Sequence, residues 1–333
     1  MRSIAFFNNK GGVGKTTLLC NVAAALGIRK NKRVLIIDAD PQCNATQALF
    51  TEDIVESLYT KSSSFTIQSV IQPLSLGKGY AEQIRPLASA SFGVDVIPGD
   101  PRLALKEDLL ASDWNDAIAG KARGLRTSFM FVQLLELCTT YDFVLFDVGP
   151  SLGSINRAVL VGSDYFISPM SSDIFSLKAI ENITKAMSTW KEDLKAGLRR
   201  NPDKAEVPQL KNGWNIMFAG YVTQQYFAKK DSAGEVRAVT AYERVMKRIP
   251  KSIDTHFVKK LQPSAPRINY NLGTVPNLFS LIPMSQTSRK PIFQLRGVDG
   301  VVGAHFTKVR EAGDLFEEIA TRFMGNLSAL SDD

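Results

Sequence analysis

The chain has 333 residues, 44% of them hydrophobic, with three cysteines, two histidines and a formal net charge of +7. That suffices for one large α/β core or two smaller ones, while Cys20, Cys43 and Cys138 lie too far apart, and histidine is too scarce, for a disulfide framework or a zinc site. No apolar run approaches the ~18 residues of a spanning helix, and the opening "MRSIAFFNNK" has no apolar leader segment, so a soluble, cytoplasmic protein is expected.

In chain order, "SIAFF" (3–7) is a short apolar run ending at a glycine-rich turn and reads as a buried strand. From Thr16 to Arg29, Leu18, Leu19, Val22, Ala23 and Leu26 recur at helical spacing. "RVLIID" (33–38) is again continuous and apolar, the mark of a strand buried on both faces. Strand, helix, strand at this spacing is a βαβ unit and implies a parallel sheet. Further strands are expected at 93–99, 141–149, 165–170, 215–224 and 278–283, and helices at 126–139, 174–189, 237–249 and 305–327. The alternation predicts an α/β fold, a doubly wound and mostly parallel sheet with helices on both faces, as a single domain over 1–333. Stretches 51–80, 190–213 and 262–276 break the rhythm and read as insertions.

"GGVGKTT" (11–17), after a strand and opening a helix, carries the chemistry. Gly14-Lys15-Thr16 is the working part of a P-loop, although Asn9, followed by Lys10, stands where the consensus has its first glycine. Gly11, Gly12, Val13 and Gly14 let backbone N–H groups turn toward phosphates, and the following helix adds its amino-terminal dipole. Lys15 is expected along the β- and γ-phosphates, Thr16 on Mg²⁺ and Thr17 on the α-phosphate, with ATP and Mg²⁺ as cofactors. Asp147 closes the apolar "FVLFD". A carboxylate there is costly unless it meets metal or water, which suits a Walker B role. Asp38 ends a strand at the carboxyl edge, where such sheets place ligands.

"KGGVGKTT", with its second lysine, resembles the deviant Walker A motif of the ParA/MinD family of P-loop ATPases. "DADPQCNAT" (38–46) is similar to that family's switch I, and "YDFVLFDVGPSLG" (141–153) to its Walker B strand and switch II. Gly149-Pro150 stands where the family commonly has two prolines. The resemblance is good over the first 180 or so residues, loose from 190 to 285, and returns at "PMSQTSRKPIFQL" (283–295). It implies that Lys10 crosses a homodimer interface to the partner's nucleotide. It further implies that Asp40 orients the attacking water, that Asp38 supports Mg²⁺, and that Asn44 belongs to the same switch. Nucleobase contacts are implied at Thr223, Gln224 or Gln225 and near Pro283, Met284 and Ser285. With Lys10, Lys15 and Asp40 and no assignable arginine finger, hydrolysis is expected to be slow until a ParB-like partner stimulates it.

The family's branches differ in what the dimer binds. Residues 308–333 carry an apolar stripe (Val309, Ala312, Phe316, Ile319, Ala320, Phe323, Leu327), but three basic and six acidic side chains make them repel anionic lipid. Core packing is expected there, and no membrane binding. Residues 244–267 instead carry Arg244, Lys247, Arg248, Lys251, Lys259, Lys260 and Arg267 against Asp254 alone, and Arg289, Lys290 and Arg296 follow. Such a patch can track DNA phosphates without reading bases, and no helix-turn-helix precedes the P-loop strand, so non-specific DNA binding is expected. The alternative is a switch of the same type that recruits a protein assembly without DNA. An electron-donating reductase of the iron-protein type would need cysteines bridging a cluster across the dimer, which Cys20 in the P-loop helix and Cys43 in switch I do not suit.

Overall fold

Strands form where the apolar runs are continuous, and the central ones are buried on both faces as that pattern requires. The computed structural model describes residues 1–61, 63–202, 214–226, 228–230, 236–238 and 240–331, without side-chain detail between 225 and 242. Its strands are β1 (Arg2–Phe6), β2 (Val34–Asp38), β3 (Leu87–Ser89), β4 (Val94–Ile97), β5 (Phe143–Asp147) and β6 (Tyr165–Ser171). They continue with β7 (Met217–Tyr226), β8 (Ala228–Lys230), β9 (Val236–Ala238) and β10 (Asn271–Pro276). One eight-stranded sheet runs in the order β10-β7-β6-β1-β5-β2-β4-β3. Only the β3–β4 pairing in it is antiparallel; β8 and β9 pair separately.

The chain leaves β1 toward β2, returns as β5 between them, and then moves to β6 on the other side. This is the doubly wound arrangement, with its switch point beside β1, and the crevice at the carboxyl ends there is where ligands bind. Phe6 and Asp38 both lie opposite Asp147 in the parallel registers. Two buried acids and the start of the glycine loop therefore share one edge.

Side chains alternate along β1 into two cores. Ile4 and Phe6 join Leu18, Val22, Ile36 and Leu145 on one face, and Ala5 and Phe7 join Ile37, Phe146 and Phe166 on the other. The C-terminal helix His305–Ser331 lays its whole apolar stripe, from Val309 to Leu327, into the first of these cores. Among the described residues no helix is long and apolar enough to cross a membrane.

Three expectations need correction. The strand expected at 278–283 is the start of the helix Leu281–Ser288, and the sheet's last strand is β10, inside the stretch read as an insertion at 262–276. Only Leu272 and Val275 of β10 are buried, because it is an edge strand; Asn271, Gly273 and Pro276 make it read as loop. Residues 51–80 hold the helices Glu52–Thr60 and Ile67–Ser75, and Ile67, Val70 and Ile71 belong to the Ala5 core. The helix expected to stop at 189 continues to Arg200, burying Trp190 and Leu194, while 203–213 of the third expected insertion lie outside the described residues.

Candidate nucleotide-binding site

The glycine loop is fixed at both ends. Asn8, fully buried, donates through Nδ2 to the Pro169 carbonyl (2.7 Å) and accepts from the Lys10 amide (3.0 Å), tying the loop's start to β6. At the other end Gly14 caps the helix Lys15–Ala24 with φ +74°. A Cβ on Gly14 would also lie 2.4 Å from Gln224 Oε1, so both backbone shape and space demand glycine. Gln224 Nε2 donates to the Gly14 carbonyl (3.2 Å). Thus Gln224, expected at the nucleobase, packs against the loop itself.

Below the loop sit the acids. Thr16 Oγ1 donates to Asp147 Oδ2 (2.7 Å). Asp38 Oδ2 accepts from the Thr46 amide (2.8 Å) and hydroxyl (2.7 Å), and its Oδ1 accepts from the Asp40 amide (3.3 Å). Burial, then the neighbouring Asp38, hold the Asp147 carboxyl above the ordinary range; burial also raises Asp38, against its bonds from Thr46. Burial lowers the Lys15 ammonium, against the pull of Asp147 and Asp40. Asp147 Oδ1 is buried with no hydrogen-bond partner among the described residues. An orphaned carboxylate oxygen beside a threonine hydroxyl is a hard-oxygen donor set of the kind Mg²⁺ uses. No group of three or more His, Cys, Asp or Glu among the described residues could hold a metal.

An open cleft of about 600 Å³ lies over these groups. Gly11 to Thr17, Asp40 and Asn44 line its phosphate end, with Pro150. Asn21, Gln47, Ala48, Phe92, Ile282, Ser285, Gln286 and Arg289 also line it. Pro283 is exposed and does not line it: the segment is helical, so the turn that brings Ile282 and Ser285 to the cleft carries Pro283 outward. Phe92 carried no sequence signal, and Arg289, expected in the basic patch, lines the cleft instead; the Ser91 hydroxyl donates to the Arg289 carbonyl (2.6 Å) and closes the two together. Thr46, which holds Asp38, closes the switch I stretch read from the sequence but was given no role there, and Asn21, whose Oδ1 accepts from the Ile292 amide (2.9 Å), was not singled out.

Lys10 is half-buried and does not line the cleft. Its ammonium donates to Ser171 Oγ (2.7 Å) and pairs with the Asp173 carboxylate. Cys20, Cys43 and Cys138 are free thiols, all buried.

Arg244, Lys247, Arg248, Lys251, Lys259 and Lys260 are all exposed, along consecutive helical segments from Thr240 to Leu261. Lys259 pairs with Asp254 (2.6 Å). The helix Ile174–Arg200 packs beside these segments, with Glu181 in electrostatic reach of His256 and Arg248, and adds exposed Lys178 and Lys185. Gln225 falls where side chains are not described. Arg289 and Lys290 are engaged elsewhere, at the cleft and with Asp299 (2.7 Å).

A profile of the AAA domain family AAA_31 matches residues 1–200. The chain is 28% identical over 204 residues to the chromosome partitioning protein ParA of Myxococcus xanthus, covering 60% of this chain and 62% of that protein. It is 26% identical over 191 residues to the virulence plasmid ParA family protein pGP5-D of Chlamydia psittaci, covering 57% and 64%. The match thus spans just under two thirds of these relatives. A crystal structure of a Corynebacterium diphtheriae protein superposes with TM-score 0.69 at 32% identity, over 87% of this chain and 97% of that one. The Cyanothece McdA(D38A)–ATP complex shares the fold, with TM-score 0.63 at 16% identity over 99% and 96%. With its P-loop, paired strand-end acids and doubly wound sheet, the chain belongs to the AAA domain family matched over its first 200 residues and, within it, to the ParA/MinD-type P-loop ATPases, nearer the ParA partition branch.

Proposed function

We propose that the protein is an ATP-switched dimer that binds DNA non-specifically in its ATP state and hydrolyses ATP slowly until a partner protein stimulates it, in DNA segregation or cargo positioning. The observation that carries the ATPase core of this reading is the buried Asp147 oxygen, unpartnered among the described residues, beside the Thr16 hydroxyl at the foot of the phosphate loop. Such a group is stabilised by what it would ligate. Mg²⁺, when bound, neutralises charge on the phosphates.

The chain's own residues do the rest. Backbone N–H groups of 11–17 and the helix amino end cradle the phosphates, and Lys15 offsets the charge that builds toward the leaving group. Thr16 and Asp147 would hold the metal, with Asp38 in support, and Asp40 orients the water. Lys10 exchanges Asp173 for the partner's phosphates, so that dimerisation requires the triphosphate. Ile282, Ser285 and their neighbours meet the base. Arg244, Lys247, Arg248, Lys251, Lys259 and Lys260, joined by Lys178 and Lys185, track DNA phosphates.

The test is electrophoretic mobility of DNA with ATP and with ADP at two salt concentrations, beside sedimentation of the parent and Lys10→Ala. Retardation only with ATP, weakening with salt, and dimers lost in the variant are expected. ATP-dependent dimers without DNA retardation would favour the alternative, recruitment of a protein assembly. Dimers that persist in Lys10→Ala would end the reading in which Lys10 reaches the partner's nucleotide.

A further inference from the structure

We propose that Glu107 is a positioning residue for hydrolysis, holding the loop after β5 against Asp40 through the amino end of the helix Ser154–Gly162. The inference rests on the ATPase reading above. That helix begins after Gly153, which has no side chain to cap it. Its first amides are met instead from another element. Glu107, at the start of the helix Glu107–Ile118, accepts from the Ser154 amide through Oε1 and from the Ile155 amide through Oε2 (3.3 Å). A carboxylate there satisfies orphan donors and complements the helix dipole. Gly153 fits the same account, since a Cβ on it would lie 2.3 Å from Glu107 Oε1. One turn on, the Arg157 guanidinium stacks on Trp114 of the Glu107 helix (4.3 Å) and faces Trp190 (5.8 Å), so the two helices are clasped at a second point.

From this helix the loop is tied directly. Asn156 Nδ2 donates to the carbonyls of Gly149 and Ser151, both at 2.8 Å. Gly149 faces Asp40: a Cβ on it would be 3.4 Å from Asp40 Oδ1. Pro150 lies over Gly11, 3.8 Å from where its Cβ would be. A shift of the helix therefore moves the loop against both Asp40 and the phosphate loop. The strap that carries Glu107 is anchored on the first switch as well. The Gly99 amide donates to Thr46 Oγ1 (2.8 Å), and that hydroxyl donates to Asp38 (2.7 Å). Residues 99–107 thus hold both switches from behind, and Glu107 itself does not line the cleft.

The experiment compares the full chain with Glu107→Ala, Glu107→Gln, Gly153→Ala and the Glu107→Ala/Gly153→Ala double variant. It reads kcat and KM for ATP, affinity for the non-hydrolysable analogue AMP-PNP, and hydrogen exchange of residues 149–157 with AMP-PNP bound. Glu107→Ala should lower kcat about tenfold, as misplacement of a positioned group does, with KM and analogue affinity within about twofold. Glu107→Gln should recover most of the loss, because its amide oxygen still accepts from Ser154. Gly153→Ala, which removes no group, should reproduce the loss by displacing the carboxylate, and the double variant should be no worse than Glu107→Ala alone. Exchange at 149–157 should rise in both single alanine variants. Unchanged exchange there, a kcat within twofold of the parent, or losses that multiply in the double variant would overturn the proposal. A parent that turns over no ATP would end the ATPase reading instead, and the exchange result still decides whether Glu107 holds the loop.

Discussion

The phosphate face and the basic helical surface carry charge in opposite ways. At the phosphate face the ionisable groups are buried and interlocked: Asp38 with Thr46, Asp147 with Thr16, and Lys15 between Asp147 and Asp40. On the segments from Thr240 to Leu261 the cations stand exposed in series, with one described ion pair, Lys259 to Asp254. Buried charge depends on the identity of each neighbour, so single changes there should act as switches. Exposed charge in high dielectric adds up weakly and is screened by salt, so single changes there should act as increments.

The largest effects are therefore expected at the buried site. Lys15→Ala should weaken ATP binding by about 10²–10³-fold, the order that a removed charged donor costs, as isothermal titration would read. Asp147→Asn should act in two directions. Burial and Asp38 raise the Asp147 carboxyl in the folded chain, so the ligand-free fold binds that proton more readily than the unfolded chain does. Stability then falls as pH rises from the ordinary carboxylate range through the raised value. Asparagine removes that fall, so the ligand-free variant should melt a few degrees higher at neutral pH while losing its stabilisation by Mg²⁺ and ATP together. A variant that melts lower without ligand and keeps the Mg²⁺ effect would show the acid to be structural.

How much of this was legible in the sequence follows the same division. Gly14-Lys15-Thr16 is a local pattern, and Asp38 and Asp147 each close an apolar strand, so the parallel register that aligns them follows from two readable runs. The Lys10–Asp173 pair was not legible, because it joins residues 163 apart that only the β1–β6 pairing brings together. Pro283 faces away from the cleft for a local reason: a segment read as a strand is helical, and the change of period turns its neighbours Ile282 and Ser285 to the cleft instead. β10 failed because edge strands need few apolar residues. The exposed basic row was legible as composition alone, but its neighbours Lys178 and Lys185 come from a distant helix.

Intermediate effects are expected on that row. If each cation neutralises about one phosphate, Arg244→Ala, Lys247→Ala, Arg248→Ala and Lys251→Ala combined should reduce the slope of log affinity against log salt by about 3–4, and each alone by about 0.9. ATP binding and melting temperature should hold steady, since these side chains are exposed. Equal salt slopes for parent and combined variant would remove the row from the DNA interface.

The smallest effect probes the one place where the two regimes meet. Lys10 is a part-exposed cation held by Asp173, and Asp173 also caps the helix Ile174–Arg200, its Oδ1 accepting from the Phe175 amide (2.9 Å). Asparagine keeps the cap oxygen but removes the charge, so Asp173→Asn separates the two roles. Part-exposed pairs are worth up to about 1 kcal/mol. Releasing Lys10 should therefore let dimers form at ATP-analogue concentrations about two- to fivefold lower, read by sedimentation, with the melting temperature unchanged because the cap survives. Asp173→Ala should promote dimers no more than asparagine does, yet melt lower. If asparagine instead weakens dimerisation, Asp173 does not restrain Lys10 but aims it, and the pair belongs to the assembled state as well.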